Sequence, residues 1–200
     1  MALTTGLVGF QFLGEDTTLA TVPVSAMVIG TAIATVPASM VMKRVGRRFG
    51  FMIGALIGVL GASIAALSMW QLSFWGFSFG ILLMGMYNGF SHYYRFAAAD
   101  VSSVKYRSRA ISLVLFGGVV AAFVGPEIAL RTADLVPGAQ FLGTYLSVIA
   151  LVAVSIILIQ FIRIPVPTLE ERNETGRPMS VIMRQPKFIV AVLSSMMGFA

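Results

Sequence analysis

This chain of 200 residues is 58% hydrophobic and 11% charged, with a mean hydropathy of +0.90, whereas a water-soluble domain carries about 25% charged residues. The absence of cysteine excludes disulfides and thiolate chemistry, and a single histidine excludes a multi-histidine metal site, so neither metal nor cofactor is expected. A net charge of +6 would suit nucleic acid, but the cations lie in loops beside apolar runs, which is a membrane-topology pattern and not a basic groove.

In chain order, residues 1–13 are apolar but too short to cross a bilayer, which takes about 20 residues. They also lack the basic leader and small-residue cleavage site of a signal peptide, so a first span truncated at its start is expected. Five complete spans follow, at residues 19–42, 49–70, 74–99, 110–130 and 141–162, joined by short connections. Residues 163–187 are different: this stretch holds five cations, three acids and four prolines. A new apolar run then begins, and the sequence ends about twelve residues into it. The expected fold is an all-α polytopic membrane helix bundle, truncated at both ends. Its parts would be a six-helix unit over 1–162, a polar linker over 163–187 and the start of a seventh span over 188–200.

Orientation follows from the distribution of Lys and Arg. Lys43, Arg44, Arg47, Arg48, Lys105, Arg107, Arg109, Arg163, Arg172, Arg177, Arg184 and Lys187 fall on one side, twelve of the fourteen Lys and Arg residues. The opposite side carries Arg131 with Glu15, Asp16 and Asp134. The basic loops are therefore expected to be cytoplasmic, in a multi-pass protein of the cell membrane.

Small residues at four-residue spacing let helix backbones approach in lipid, where apolar faces gain little from meeting. Such stripes run through Ala26, Gly30, Ala34 and Ala38, through Gly50, Gly54, Gly58, Ala62 and Ala66, and through Gly117, Ala121, Gly125 and Ala129. All three are expected to pack.

The segment Ser39-Met-Val-Met-Lys43-Arg44-Val-Gly46-Arg47-Arg48 resembles the loop after the second span of the major facilitator superfamily, Gly-x-x-x-Asp-Arg-x-Gly-Arg-Arg. Arg44, Gly46, Arg47 and Arg48 match; Ser39 replaces a glycine and Lys43 replaces the aspartate. The resemblance implies the N-terminal six-span half of a twelve-span fold, a cytoplasmic gate built on this loop, and a C-terminal half as partner. Because Lys43 reverses the charge of the family's latch, Asp100 is the expected substitute anion. Gly125-Pro126, with Ala121 before and Ala129 after, is similar to the family's fifth-span glycine-proline motif, which implies a hinge there and leaves transport direction open. The segments from Tyr93 to Asp100, Arg107 to Ser112 and Phe141 to Leu146 look like a branch of bacterial carriers that includes riboflavin-uptake members.

The span over 74–99 is the polar exception. Asn88, Ser91, His92 and Arg95 follow i, i+3, i+4, i+7 spacing and share a face, with Tyr87 and Tyr94 close by. Ionisable groups at that depth are costly unless they meet protein or a water-filled cavity. Asn88, His92, Arg95, Tyr87 and Tyr94 are therefore candidates to line a substrate cavity, with Arg95 facing an anionic or carbonyl group and His92 able to take up a proton near neutral pH. The structural alternative is that Arg95 snorkels to the interface and the tyrosines form an interfacial belt. Glu127 lies one turn before Arg131, so an ordinary i, i+4 pair accounts for it.

No Ser/His/Asp set, phosphate loop or metal cluster is visible, so no enzyme is expected. The resemblance implies a secondary active transporter of a small organic solute, with ion (proton) coupling expected, working by alternating access in the lipid bilayer. The competing reading is a non-transporting scaffold or receptor of the same fold, which the reversed charge at Lys43 would suit.

Overall fold

The computed structural model describes Thr5, Val8, residues 19–162, Ile164, 184–186, 188–190 and Ser194. The chain divides into two units, Met1–Pro167 and Thr168–Ala200. In the second unit the described backbone begins a helix, with the Phe188 and Ile189 amides both donating to the Gln185 carbonyl. Most of the polar linker and of the first span lies outside the described residues.

Six helices are described in the first unit: α1 (Val22–Val45), α2 (Arg47–Trp70), α3 (Phe74–Ser91), α4 (Tyr94–Val101), α5 (Arg107–Thr132) and α6 (Leu142–Phe161). No strand occurs among the described residues. By length and composition, α1, α2, α5 and α6 could each cross a membrane.

The cationic hairpin is tighter than its charge suggests. Helix continues through Lys43, Arg44, Arg47 and Arg48, and only Gly46 separates two 24-residue helices. Lys and Arg are good helix formers, and at the end of α1 they also complement the helix dipole. Gly46 holds φ 90 and ψ 157, a conformation open essentially to glycine alone. That one residue reverses the chain.

Residues 74–99 do not form one unbroken helix. The helix breaks at His92 and Tyr93, and α4 begins at Tyr94. At the start of α3, the Ser73 hydroxyl accepts a hydrogen bond from the Gly76 amide at 3.3 Å, satisfying one of the free amides of the first turn.

Helix α3 packs against both α1 and α2, and α2 also packs against α6. Close approach is reciprocal: a Cβ on Gly30 of α1 would strike the Leu82 carbonyl oxygen, and one on Gly85 of α3 would strike that of Met27. Between α2 and α3, Cβ atoms on Gly61 and Gly80 would each come within 2.7 Å of the other's carbonyl oxygen. One buried cluster joins α2, α3 and α6 through Ala62, Phe77, Ile81 and Tyr145, with Val8 of the first segment. The Tyr145 ring meets Phe77 edge-on at 5.5 Å. A second cluster near the basic loops gathers Ala38, Met42, Phe51, Phe90 and Ile159.

The first two small-residue stripes are packed, apart from half-buried Ala26. The third is not. Along α5 only Ala129 is buried, and Gly117 and Gly125 face open space. Helix α5 is held at its ends, by α4 at one and by α6 at the other, where the buried Thr144 hydroxyl donates to the Ala129 carbonyl at 2.9 Å.

Candidate functional site

The candidate residues surround the break between α3 and α4, and the structure distributes them over three surfaces. Asn88 turns toward α1, where its amide lies 3.4 Å from the Thr31 hydroxyl. That hydroxyl is within donating distance of two carbonyls, Met27 at 2.9 Å and Gly85 at 3.0 Å. Asn88 thus belongs to a polar contact between α1 and α3.

Tyr87 and Tyr94 face the other way. Tyr87 covers Gly58 of α2, where a Cβ would fall 2.8 Å from its ring. Tyr94 stacks at a tilt on Phe51, with ring centroids 4.5 Å apart, and lies beside Tyr87 and Ser155 of α6. Both tyrosines fill space between helices.

His92 and Arg95 are exposed. Arg95 lays its guanidinium 5.0 Å from the Phe96 ring centroid, a cation–π contact that leaves its N–H donors available. Of the five cavity candidates, these two present their polar groups outward.

The break itself has a partner that the sequence spacing does not reveal. The Tyr93 hydroxyl donates to the Thr35 carbonyl of α1 at 2.8 Å. Thr35 lies two residues before Pro37, which lacks an amide proton and interrupts the helical ladder of α1. Two weakened helix segments are therefore joined by one hydrogen bond. A threonine pair at i, i+4 just before a proline, Thr31 and Thr35, was the available signal in the sequence.

At the basic end, Arg47 forms a 2.5 Å ion pair with Asp100. This ties the start of α2 to the end of α4 and supplies the Arg cluster with an anion despite Lys43. At the other end of α5, Arg131 and Glu127 pair at 2.7 Å, both largely exposed. Pro126 lies within a helix that continues from Arg107 to Thr132.

Residues 3–200 match the Major Facilitator Superfamily. The chain belongs to that family. It is 39% identical, over 197 residues, to the riboflavin transporter RfnT of Brucella anthropi, a match covering 98% of this chain and 49% of that protein. The chain thus spans about half the length of this curated relative. In fold it is similar to the crystal structure of a single-residue variant of the E. coli fucose:proton symporter FucP, with a TM-score of 0.69 at 17% identity, covering 96% of this chain and 53% of that one. The all-helical architecture is that of the superfamily, whose members are membrane transporters.

Proposed function

We propose that this chain is the N-terminal half of a secondary active transporter that moves a small organic solute by alternating access, coupled to protons. The observation that carries this reading is the 39% identity to a riboflavin transporter across nearly the whole chain. Riboflavin, or a similarly flat heterocycle, is accordingly the first solute to test. In this reading, Arg95 and His92 face the solute pathway, Arg95 binding a carbonyl or anionic group and His92 exchanging a proton. Asn88, Tyr87 and Tyr94 position the break that carries them. Lys43, Arg44, Gly46, Arg47 and Arg48 with Asp100 form the cytoplasmic gate, and Gly125-Pro126 serves as a hinge within α5.

The scaffold alternative drew its support from the reversed charge at Lys43. The Arg47–Asp100 pair weakens that support, because the loop has a carboxylate after all.

The test is uptake of labelled riboflavin by the full-length protein in proteoliposomes, with and without an inward proton gradient. Arg95→Ala should lower the initial rate about tenfold or more, the scale of one lost charge-assisted hydrogen bond. Wild-type rates in that variant would remove Arg95 from the pathway. A full-length protein that moves no flavin or other organic solute under any ion gradient would leave the scaffold reading in place.

A further inference from the structure

The turn that joins α3 to α4 is wound more tightly than the helices on either side. Two of its amides reach only three residues back, Tyr93 to the Phe90 carbonyl and Phe96 to the Tyr93 carbonyl, both at 3.1 Å. Such turns are less well bonded than an α-helix, and within a longer helical run they mark hinges or strain. Residues 90–97 include neither proline nor glycine, so backbone chemistry does not fix the turn.

Three contacts in series do so instead. The Tyr93 hydroxyl donates to the Thr35 carbonyl of α1 at 2.8 Å. The Tyr93 ring lies against that of Phe96, with centroids 5.9 Å apart and planes inclined at 45°. The Phe96 ring in turn carries the Arg95 guanidinium, 5.0 Å from its centroid. Both ring contacts fall within the distances at which aromatic pairs and cation–π pairs attract. A continuous series of contacts thus runs from the backbone of α1 to the charged end of Arg95.

Packing on both sides of the turn holds the α1 end of this series. Before the turn, a Cβ on Gly89 would fall 2.9 Å from the Thr31 carbonyl oxygen and 3.0 Å from the Ala34 Cβ. After it, Ala97 is buried in one cluster with Ala34 and Ala38. The Arg95 side chain is long and exposed, and ordering such a chain costs conformational entropy. Stacking it on a fixed ring reduces what is left to lose when it binds a ligand.

We propose that Tyr93 is a positioning residue for Arg95: anchored on the Thr35 carbonyl, it fixes the Phe96 ring, which preorganises the guanidinium for the anionic or carbonyl group of the solute. The assignment rests on the reading of Arg95 as a solute-facing group, whereas the contact series itself does not.

The experiment measures uptake of labelled riboflavin by the full-length protein in proteoliposomes across a range of riboflavin concentrations. Tyr93→Phe keeps the ring and removes the hydroxyl, so KM should rise about threefold or more with kcat little changed, the scale of one interhelical hydrogen bond. A merely structural role would lower the amount of active transporter and leave KM where it was. Thr35→Ala keeps the accepting carbonyl and should keep KM, whereas Phe96→Leu should raise it as Tyr93→Phe does. In an Arg95→Ala background, Tyr93→Phe should add nothing further. An unchanged KM in Tyr93→Phe, or an equal rise with and without Arg95, would overturn the proposal. A second readout needs no transport: NMR of the arginine Nε–H groups in protein carrying isotope-labelled arginine, with the Arg95 signal identified by its loss in Arg95→Ala. The Phe96 ring current should displace that signal upfield, and Tyr93→Phe should return it toward those of arginines away from aromatic rings. A signal that Tyr93→Phe leaves in place would overturn the positioning role. A displaced, Tyr93-dependent signal in a protein that takes up no flavin would support the positioning of Arg95 and overturn riboflavin as its solute.

Discussion

Helices α3 and α5 are both apolar and rich in glycine, yet the structure treats them as opposites. Gly80, Gly85 and Gly89 of α3 are buried where neighbouring backbones leave no room for a methyl group, whereas Gly117, Gly118 and Gly125 of α5 face nothing within 4 Å. Composition alone would rank the two helices together. What separates them is the reciprocal stripe: α3 meets Gly30 on α1 and Gly61 on α2, so small residues face small residues on both sides. A stripe marks a surface able to accept a close neighbour. It does not name the neighbour.

The sharpest way to break this comparison is to add one methyl group to each helix. Gly85→Ala would force its Cβ onto the Met27 carbonyl, and overpacking of this kind costs about 1–3 kcal/mol. Gly117→Ala should change stability by less than about 0.5 kcal/mol, or raise it slightly through helix propensity. Thermal unfolding of the full-length protein, followed by loss of the monodisperse peak, reads both. Equal damage from the two substitutions would mean that α5 is as closely packed as α3 in the whole protein.

A second test concerns what holds α3 and α4 in place. Asp100→Asn removes the partner of Arg47, and because that pair is partly exposed its loss should cost no more than about 1 kcal/mol. Tyr93→Phe removes the bond to Thr35, and interhelical hydrogen bonds within membranes average about 0.6 kcal/mol. The two contacts lie at opposite ends of α4, so the double variant should be nearly additive. Strong coupling between them would show that the gate loop and the helix break move as one element.

Much of this was legible from the sequence, for physical reasons that can be named. Apolar runs of more than 20 residues are a direct consequence of bilayer thickness, and α1, α2, α5 and α6 fall within a few residues of their expected bounds. The hairpin was legible as a turn but not in its tightness, because charge suggests a loop while Lys and Arg extend a helix. The break at His92–Tyr93 had no local mark, neither proline nor glycine, since what secures it is a bond to another helix. The candidate site divided for a simpler reason. Tyr87 and Asn88 are one residue apart, about 100° around a helix, and that rotation carries one toward α2 and the other toward α1. Spacing groups residues on a face without saying which neighbour the face will meet.

The smallest expected effect lies on α5 itself. Glu127 and Arg131 form an i, i+4 pair with exposed side chains, so Glu127→Gln should cost no more than about 0.5 kcal/mol in the full-length protein. The orientation of the pair, acid before base along the helix, places it near the upper part of that range. A shift in midpoint temperature resolves such a difference when compared with Arg131→Gln and with the double variant, whose effect should not exceed that of either single change by much. A cost several times larger would mean that the carboxylate is desolvated by a neighbour beyond the described residues. The contrast between α3 and α5 would then describe two stages of burial, the first completed within this half and the second left to whatever covers α5.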